Sequence, residues 1–257
     1  MSESTLTDEL LIRRMIERWA VWRTLAGRRR ARALSQARLP IPDAAVQNVP
    51  SCPTLLNPPD ENPMTLNADA LDTIFRKART ANGFLDTPVP LDLLKQVYEL
   101  AAMGATSMNT QPTRYVFLLT PESRARLLPA MMAGNLDKTR TAPVTVIVAN
   151  DTRFYEHMPQ VWHKPGGMEM FAGNAALAAG TATRNGTLGG AYFMIAARAL
   201  GLDCGPMSGV DLAKVNAEFF ADGRYQANFI LNLGHGDDTL LFARNPRLSF
   251  EQACQVL

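Results

Sequence analysis

Residues 104–117, GATSMNTQPTRYVF, join an apolar helical stretch to the first strand that the sequence predicts. Small and polar residues fill the stretch up to Pro112, and residues 115–119 then have the continuous apolar character of a buried strand. Small side chains let the backbone approach a flat ligand, and Asn109 and Gln111 can each donate and accept hydrogen bonds. Such a junction suits the pyrimidine edge of a flavin, although a polar loop before a strand is most often only a connection.

The composition is that of an ordinary globular protein, with 257 residues of which 47% are hydrophobic and 19% are charged. No run of about 18 apolar residues predicts a membrane-spanning helix. The three cysteines, Cys52, Cys204 and Cys254, show neither a zinc-ligand spacing nor a disulfide framework. This cysteine usage fits a reducing compartment, so we expect a cytoplasmic protein without a membrane partner.

The formal net charge of +2 conceals an uneven distribution. Residues 1–40 carry nine arginines against four acidic residues, whereas residues 64–257 carry equal numbers of basic and acidic residues. The larger part of the chain therefore lacks the basic excess that is typical of a nucleic-acid-binding domain, and no nucleic-acid partner is expected for it.

The sequence divides into three regions. Residues 1–39 are predicted to be an Arg-rich helical extension, which could bind a membrane surface, an acidic partner or nucleic acid, or be a mere appendage; the appendage is the favoured interpretation. Residues 40–63 contain seven prolines and are interpreted as an extended linker. Residues 64–257 are predicted to form the folded domain.

The folded domain is predicted to be a helix-rich mixture of helices and strands. Helices are expected at about 67–81, 91–103, 121–132, 170–183, 187–200 and 211–219, and strands at about 114–119, 143–149 and 227–233. Two helices precede the first strand, which argues against a regular βαβ repeat and a doubly wound sheet.

Two basic segments that are far apart in sequence could hold a phosphate group. Arg79, Thr80 and Asn82 are predicted to lie at the end of the first helix, where the Arg79 guanidinium offers a fork for phosphate oxygens. Arg244 and Arg247 lie near the C-terminus and could close on the same group. Taken alone, the first segment is more simply explained as a helix stop, and the second as a solvated charge pair.

A glycine-rich stretch, GLDCGPMSG at residues 201–209, follows the last long predicted helix. Gly205, Pro206, Ser208 and Gly209 are expected to make a tight turn that exposes backbone N–H groups. Such donors could face the N5 and O4 atoms of a flavin, where negative charge develops on reduction. An ordinary turn between a helix and a strand is the alternative.

Other catalytic patterns are missing from the sequence. No G-x-G-x-x-G motif follows a strand and opens a helix, which argues against a dedicated dinucleotide site. Ser208 has no partners in a recognisable triad order, so a hydrolase is disfavoured. His157 and His163 lack a third ligand at a suitable spacing, so no metal site is expected. Residues 154–167 could be a mobile flap over a pocket or a plain surface loop.

The four segments, taken in order, resemble the FMN-dependent nitroreductase family: an Arg-Thr pair near the start, an Asn-x-Gln-Pro loop before a strand, a glycine-rich turn after a long helix, and a C-terminal basic pair. Residues 134–151, 199–209 and 243–254 are most similar to the subgroup that includes the malonic semialdehyde reductase of pyrimidine breakdown. The resemblance runs from residue 67 to residue 257 and does not include the first 63 residues.

This resemblance implies an α+β fold with a central, mainly antiparallel sheet wrapped by helices. It also implies an intertwined homodimer with an FMN at each of two subunit interfaces. The cofactor-binding residues that it implies are Arg79, Thr80, Asn82, Arg244 and Arg247 at the phosphate and ribityl end, Ser107 and Asn109 at the isoalloxazine edge, and Met207, Ser208 and Gly209 beside N5.

The implied activity is that of an FMN-dependent NAD(P)H oxidoreductase. NADH or NADPH would reduce the flavin, and a small electrophile would then take the hydride in a ping-pong cycle, so no side chain is expected to be catalytic. The subgroup points to a 3-hydroxypropionate dehydrogenase type of reaction, from malonic semialdehyde to 3-hydroxypropionate. Many family members carry a Glu where Ser208 stands, and Gly104-Ala105 replaces a common Pro. The alternative is a non-catalytic flavin-binding module whose basic arm binds a partner.

Overall fold

The computed structural model describes residues 65–257, and the predictions for residues 1–39 and 40–63 lie outside the described residues. The described part begins with helix α1 (Ala68–Leu71), which continues as a π-helical segment (Asp72–Arg76). The other helices in this part are α2 (Leu91–Ala101), α3 (Pro121–Leu127), α4 (Leu136–Thr141), α5 (Met158–Val161), α6 (Gly167–Ala172), α7 (Ala175–Ala199), α8 (Leu212–Phe219) and α9 (Phe250–Ala253). The strands are β1 (Thr113–Leu118), β2 (Val144–Asp151), β3 (Asp203–Met207) and β4 (Tyr225–Gly234).

The four strands form one sheet in the order β1-β2-β4-β3, and every neighbouring pair is antiparallel. Ile147 of β2 lies opposite Val116 of β1 on one side and Ile230 of β4 on the other. All eight residues of β2 are buried, including Thr145, Asn150 and Asp151, so both faces of this strand are covered. The predicted α+β class with a mainly antiparallel sheet is confirmed.

Helices cover both faces of the sheet, and alternate residues of β2 point to the two layers. Val146 and Val148 pack with Phe193 of α7 in a cluster that also includes residues of α2. Ile147 packs with Leu127 of α3 in the opposite cluster, together with residues of α8. The sheet is therefore the middle of three layers, with α2 and α7 on one side and α3 and α8 on the other.

The long helix α7 replaces two helices that were predicted at 170–183 and 187–200, so that prediction is wrong. The glycines inside α7 allow close packing against the sheet. A Cβ at Gly186 would lie 1.8 Å from Asn150 Oδ1, and a Cβ at Gly190 would lie 2.5 Å from the Phe229 ring. Glycine is required at these two positions because only a hydrogen atom fits between the helix and the sheet there.

Two further expectations are corrected at the edge of the sheet. The first helix does not reach residue 81, because residues 77–82 leave the helical path and Thr80 forms a parallel bridge with Cys204 of β3. The Ala81 N–H donates to the Cys204 carbonyl at 2.9 Å. Most of the stretch predicted as a tight turn is the strand β3, which tolerates Pro206 because it is the last strand of the sheet. Arg79, Thr80 and Asn82 thus lie beside β3 rather than at a helix end.

Within residues 65–257, no helix combines the length and the apolar character that are needed to span a bilayer.

Candidate functional site

Four arginines converge on one cavity of about 350 Å³. Arg79 comes from the segment beside β3, Arg198 from the last turn of α7, and Arg244 and Arg247 from the segment after β4. Thr80 and Asn82 also line this cavity. The five residues predicted for the phosphate and ribityl end therefore share one cavity, although more than 160 residues separate the two segments in sequence. We call it the arginine cavity.

The two segments hold each other in place through arginine side chains. The Arg79 guanidinium donates to the carbonyl of Phe242 in the C-terminal segment. In return, Arg244 Nη2 donates to the carbonyls of Arg76 at 2.9 Å and Ala78 at 3.1 Å. A guanidinium has five N–H donors, so each side chain keeps donors for a ligand after making these bonds.

The arginine cavity is rich in positive charge that no carboxylate neutralises. In the described part of the chain, the arginines that form salt bridges lie elsewhere, and no acidic residue lines the cavity. Guanidinium groups match phosphate oxygens through paired, charge-assisted hydrogen bonds. The cavity therefore suits a phosphate group.

Arg198 is a residue that the sequence analysis missed. Its side chain is half-buried and its Nε atom is buried without a hydrogen-bond partner within residues 65–257. The sequence shows only an arginine in the last turn of a helix, where a cation is ordinarily explained by the helix dipole. The folded position beside the other three arginines could not be deduced from that signal.

The predicted residues beside N5 lie farther along the same edge of the sheet. Met207 is buried and packs in the core, so its side chain is not available to a ligand. The backbone N–H groups of Ser208 and Gly209 find no acceptor within residues 65–257. Ser208 lies three residues beyond Gly205, which packs against Ala81, and three residues span about 10 Å of extended chain. The two N–H donors therefore lie about 10 Å along the chain from the edge of the arginine cavity, a distance that one flavin-sized ligand can span.

The loop that contains Ser107 and Asn109 has an unusual backbone. Met108, Asn109 and Gln111 have φ angles of 50°, 52° and 42°, in the left-handed region that favours glycine. Residues held in such sparsely populated regions cost about 1–3 kcal/mol each and persist only where their surroundings enforce them. Strain of this kind is commonly found where a protein must present a fixed shape to a ligand.

A buried ion pair enforces the shape of this loop. Arg114 Nη1 donates to the Gln111 carbonyl at 2.9 Å, and Arg114 Nη2 donates to Asp151 Oδ2 at 2.7 Å. Asp151 is completely buried and is also paired with Arg224 at 2.9 Å. The Ser107 N–H donates to Asn185 Oδ1 of α7 at 2.8 Å. The loop is therefore anchored to both the sheet and the long helix.

The Asn109 amide connects the loop to the segment at residues 154–167. Its Nδ2 donates to the Val161 carbonyl at 2.8 Å, and its Oδ1 accepts from Gln111 Nε2 at 3.0 Å. The first half of that segment is packed, since Phe154 and Met158 are buried, whereas residues 163–166 are exposed. Whether the segment acts as a flap stays a prediction. Within residues 65–257, no cluster of three or more His, Cys, Asp or Glu side chains is arranged to hold a metal ion.

A second cavity, of about 590 Å³, lies beside the loop and is lined by Gln111, Arg114 and His157 together with aromatic side chains. Tyr115 lines it and donates from its hydroxyl to the Gly189 carbonyl at 3.0 Å. Burial raises the pKa of Tyr115 well above its ordinary value, so its hydroxyl stays protonated. Because Tyr115 is neutral and already bonded to α7, it shapes this cavity rather than titrating in it.

Within one chain, the loop is bonded to the middle of α7, whereas the arginine cavity lies at the C-terminal end of that helix. Ser107 is bonded to Asn185, and Arg198 is thirteen residues farther along that helix. At 1.5 Å per residue this separation is about 20 Å. The structure thus brings together the residues predicted for the phosphate end and places Ser208 and Gly209 near them, but it does not bring Ser107 and Asn109 to the same place in one copy of the chain.

A family model described as "Nitroreductase family" matches residues 75–235. A protein of Ralstonia nicotianae named "Putative NADH dehydrogenase/NAD(P)H nitroreductase" is 49% identical over 193 residues, which cover 75% of this chain and 99% of that protein. A protein of Cupriavidus pinatubonensis with the same descriptive name is 52% identical over 191 residues, which cover 73% of this chain and 97% of that protein.

Solved structures share the fold at low sequence identity. A "putative nitroreductase in complex with FMN" from Exiguobacterium sibiricum has a TM-score of 0.66 and 19% identity, and the match covers 75% of this chain and 99% of that chain. The "putative nitroreductase ydfN" from Bacillus subtilis has a TM-score of 0.65 and 20% identity, and the match covers 74% of this chain and 100% of that chain. At these identities the likeness shows the fold alone.

Proposed function

The chain belongs to the nitroreductase family, and on that premise we propose that it is an FMN-dependent NAD(P)H oxidoreductase that reduces a small electrophile. The observation that carries this proposal is the arginine cavity, a cluster of cations without carboxylate partners beside two free backbone donors. The FMN in the Exiguobacterium structure and the nicotinamide donors in the relatives' names support the same assignment.

The residues of the arginine cavity fit the phosphate end of FMN. Arg79, Arg244 and Arg247 would bind the phosphate oxygens, and Thr80 and Asn82 would supply short polar groups beside them. The absence of a competing carboxylate among the cavity's described lining residues favours a dianionic group there.

The backbone donors at the end of β3 fit the part of a flavin where negative charge develops. The N–H groups of Ser208 and Gly209 would face the N5 side and stabilise that charge at fixed positions. When bound, FMN would supply the hydride-transfer chemistry between NADH or NADPH and the second substrate. The chain's own contribution is binding, orientation and this polarisation, and we assign no catalytic side chain.

We propose that two copies of the chain complete each site. Ser107 and Asn109 lie about 20 Å from Arg198 along α7, so they do not line the arginine cavity of their own copy. A second copy would bring its strained loop to the isoalloxazine edge. Exposed apolar side chains on α7 and in the C-terminal segment, including Leu188, Phe242 and Leu248, are consistent with a covered surface.

Within this class, malonic semialdehyde is the substrate that we propose, with 3-hydroxypropionate as the product. The support is the similarity of residues 134–151, 199–209 and 243–254 to the subgroup that carries out this reduction. Nitroaromatics and quinones are the other small electrophiles that an open flavin site of this kind accepts.

Steady-state kinetics of the full chain with added FMN test this function. We expect NADH or NADPH oxidation that depends on a second substrate, with the parallel double-reciprocal lines of a ping-pong cycle. Malonic semialdehyde, menadione and a nitroaromatic should be compared, with product analysis for 3-hydroxypropionate. Bound FMN that neither nicotinamide reduces would instead favour the non-catalytic flavin-binding module.

A further inference from the structure

Arg198 stands apart from the other arginines of the cavity in how its donors are used. Arg79 and Arg244 donate hydrogen bonds to backbone carbonyls at 2.5–3.1 Å, and these bonds connect the segment beside β3 to the C-terminal segment. Arg198 makes only a long contact, from Nη1 to the Ile74 carbonyl at 3.4 Å. Its Nε–H is buried and has no acceptor within residues 65–257. Such a buried donor is costly, and a guanidinium that makes one long bond among the described residues keeps terminal donors for an anion in the cavity that it lines.

The cavity also contains one more cation than the two predicted segments supply. The motif contributes three cations, and Arg198 adds a fourth from a separate element, the rigid C-terminal turn of α7. No acidic residue lines the cavity within residues 65–257. A phosphate dianion brought against this wall would meet donors from three directions: the segment beside β3, the end of α7 and the C-terminal segment.

We propose that Arg198 is a further phosphate-binding residue, and that it makes the site select phosphorylated flavin over riboflavin. This inference rests on the proposed function, since it assigns the FMN phosphate to the arginine cavity. Arg198 differs from the motif arginines because its backbone belongs to a long helix, and because one long bond, to the Ile74 carbonyl, is the bond that its side chain makes within residues 65–257. Most of its N–H donors are therefore available to the phosphate.

A purely structural role for Arg198 makes a different prediction. A cation in the last turn of a helix interacts favourably with the helix dipole, and its stem packs against neighbouring residues. In that case a substitution would lower stability and weaken the binding of every flavin alike. Riboflavin has the same ring and ribityl chain as FMN but no phosphate, so it separates the two roles.

The experiment measures the dissociation constants of FMN and riboflavin for the full chain by quenching of flavin fluorescence. Arg198→Gln removes the charge and the Nε–H, and Arg198→Lys keeps a cation at the helix end but lacks the Nε–H. Arg140→Gln is the matched control, because Arg140 is exposed on α4 and pairs with Asp137 alone among the described residues. Melting temperatures of all variants report on the fold.

The expected result is that Arg198→Gln weakens FMN binding about tenfold to hundredfold and leaves riboflavin binding unchanged. Arg198→Lys should show a smaller loss for FMN alone, and it serves as the test if the Gln variant does not fold. Equal losses for both flavins, or no loss for FMN in either variant, would overturn the proposal while leaving the proposed function intact. A wild-type chain that binds neither flavin would overturn both.

Discussion

Individual arginines line the cavity that we propose for the phosphate, and some of them also bond to the backbone of the protein. Arg79 and Arg244 each bond to backbone carbonyls of the opposite segment. Within residues 65–257, Arg247 bonds only to the carbonyls of Asn245 and Pro246 next to it. The first two therefore assemble the cavity as well as line it. Arg247 can contribute to ligand binding without contributing to the assembly of the two segments.

This difference between Arg79 and Arg247 predicts that their substitution affects FMN binding alike but thermal stability differently. Arg79→Gln and Arg247→Gln should each weaken FMN binding by about 1.5–3 kcal/mol, the range for a hydrogen bond to a charged group. Only Arg79→Gln should also lower the melting temperature, because it removes the hydrogen bond from the Arg79 guanidinium to the Phe242 carbonyl. Titration of the apoprotein with FMN, together with thermal unfolding, checks both statements. Unchanged FMN affinity in both variants would show that the phosphate lies elsewhere.

Cys204 predicts a pH dependence at the same scale. Burial raises the pKa of its thiol from an ordinary value of 9.0 to about 12. As pH rises from about 9 toward 12, the unfolded chain loses the thiol proton while the folded chain keeps it, so stability falls by up to about 1.4 kcal/mol per pH unit.

Urea unfolding of the wild type and Cys204→Ala at about pH 8 and pH 10 measures this contribution. The wild type should lose more stability over this interval than the variant, in which every other titrating group is kept. Parallel losses in the two proteins would show that the Cys204 thiol ionises in the folded state.

The grouping of the five residues proposed for the phosphate end in one cavity could be predicted from sequence, because the order of their motifs resembles that of a known family. Arg198 could not, since an arginine at a helix end has an ordinary explanation. The environment of Asn109 was also out of reach, because its bonds to Val161 and Gln111 depend on left-handed backbone angles that no residue type in the loop demands.

At the scale of elements, the strained loop depends on the buried pair between Asp151 and Arg114. Asp151→Asn should destabilise the fold by about 3–5 kcal/mol, because Arg114 and Arg224 would lose a fully buried partner. Asp137→Asn is the control, since it removes an exposed carboxylate that pairs with one arginine. Urea unfolding should show a much larger loss of stability for Asp151→Asn than for Asp137→Asn. Equal stabilities of the two variants would contradict the view that Asp151 holds the loop through Arg114.

At Gly190 of α7, the change in stability on substitution by alanine shows whether helix propensity or close packing dominates. Helix propensity alone favours Gly190→Ala by about 1 kcal/mol. A Cβ at this position would lie 2.5 Å from the Phe229 ring and 3.2 Å from Val148, so we expect a net destabilisation of about 1–3 kcal/mol. The free energy of unfolding in urea measures it. A variant that is more stable than the wild type would mean that α7 packs less closely on the sheet.

The elements also show where sequence prediction failed. Apolar periodicity found β1, β2 and β4 because each carries a run of apolar residues. It missed β3, in which Cys204, Gly205 and Pro206 are typical of a turn, because pairing with β4 and residue 80 decides its conformation. It also predicted two helices where α7 is continuous, and the glycines of α7 are explained by tertiary contacts rather than by helix propensity.

At the scale of the whole molecule, the fold class followed from the sequence, but the way the site is completed did not. Spacing along the chain says nothing about the roughly 20 Å between the strained loop and the arginine cavity, which comes from the length of α7. The homodimer therefore stays a prediction, and its strongest support is that one copy leaves the proposed flavin without a loop at its ring edge.

Mixed dimers test this sharing of the site. Arg79→Gln damages the phosphate half and Asn109→Ala damages the ring-edge half. If each site takes these residues from different copies, a dimer of the two variants contains one intact site and one doubly damaged site. Refolding the variants together should then recover sites with wild-type FMN affinity, whereas either variant refolded alone should not. No recovery on mixing would mean that both residues act within one copy.

The most direct measurement of the central claim is the visible spectrum of the full chain after incubation with FMN, gel filtration and anaerobic addition of NADH or NADPH. The account predicts that FMN elutes with the protein at one flavin per chain and that a nicotinamide bleaches its absorbance band. FMN that elutes apart from the protein, leaving the arginine cavity without its proposed ligand, would contradict the account.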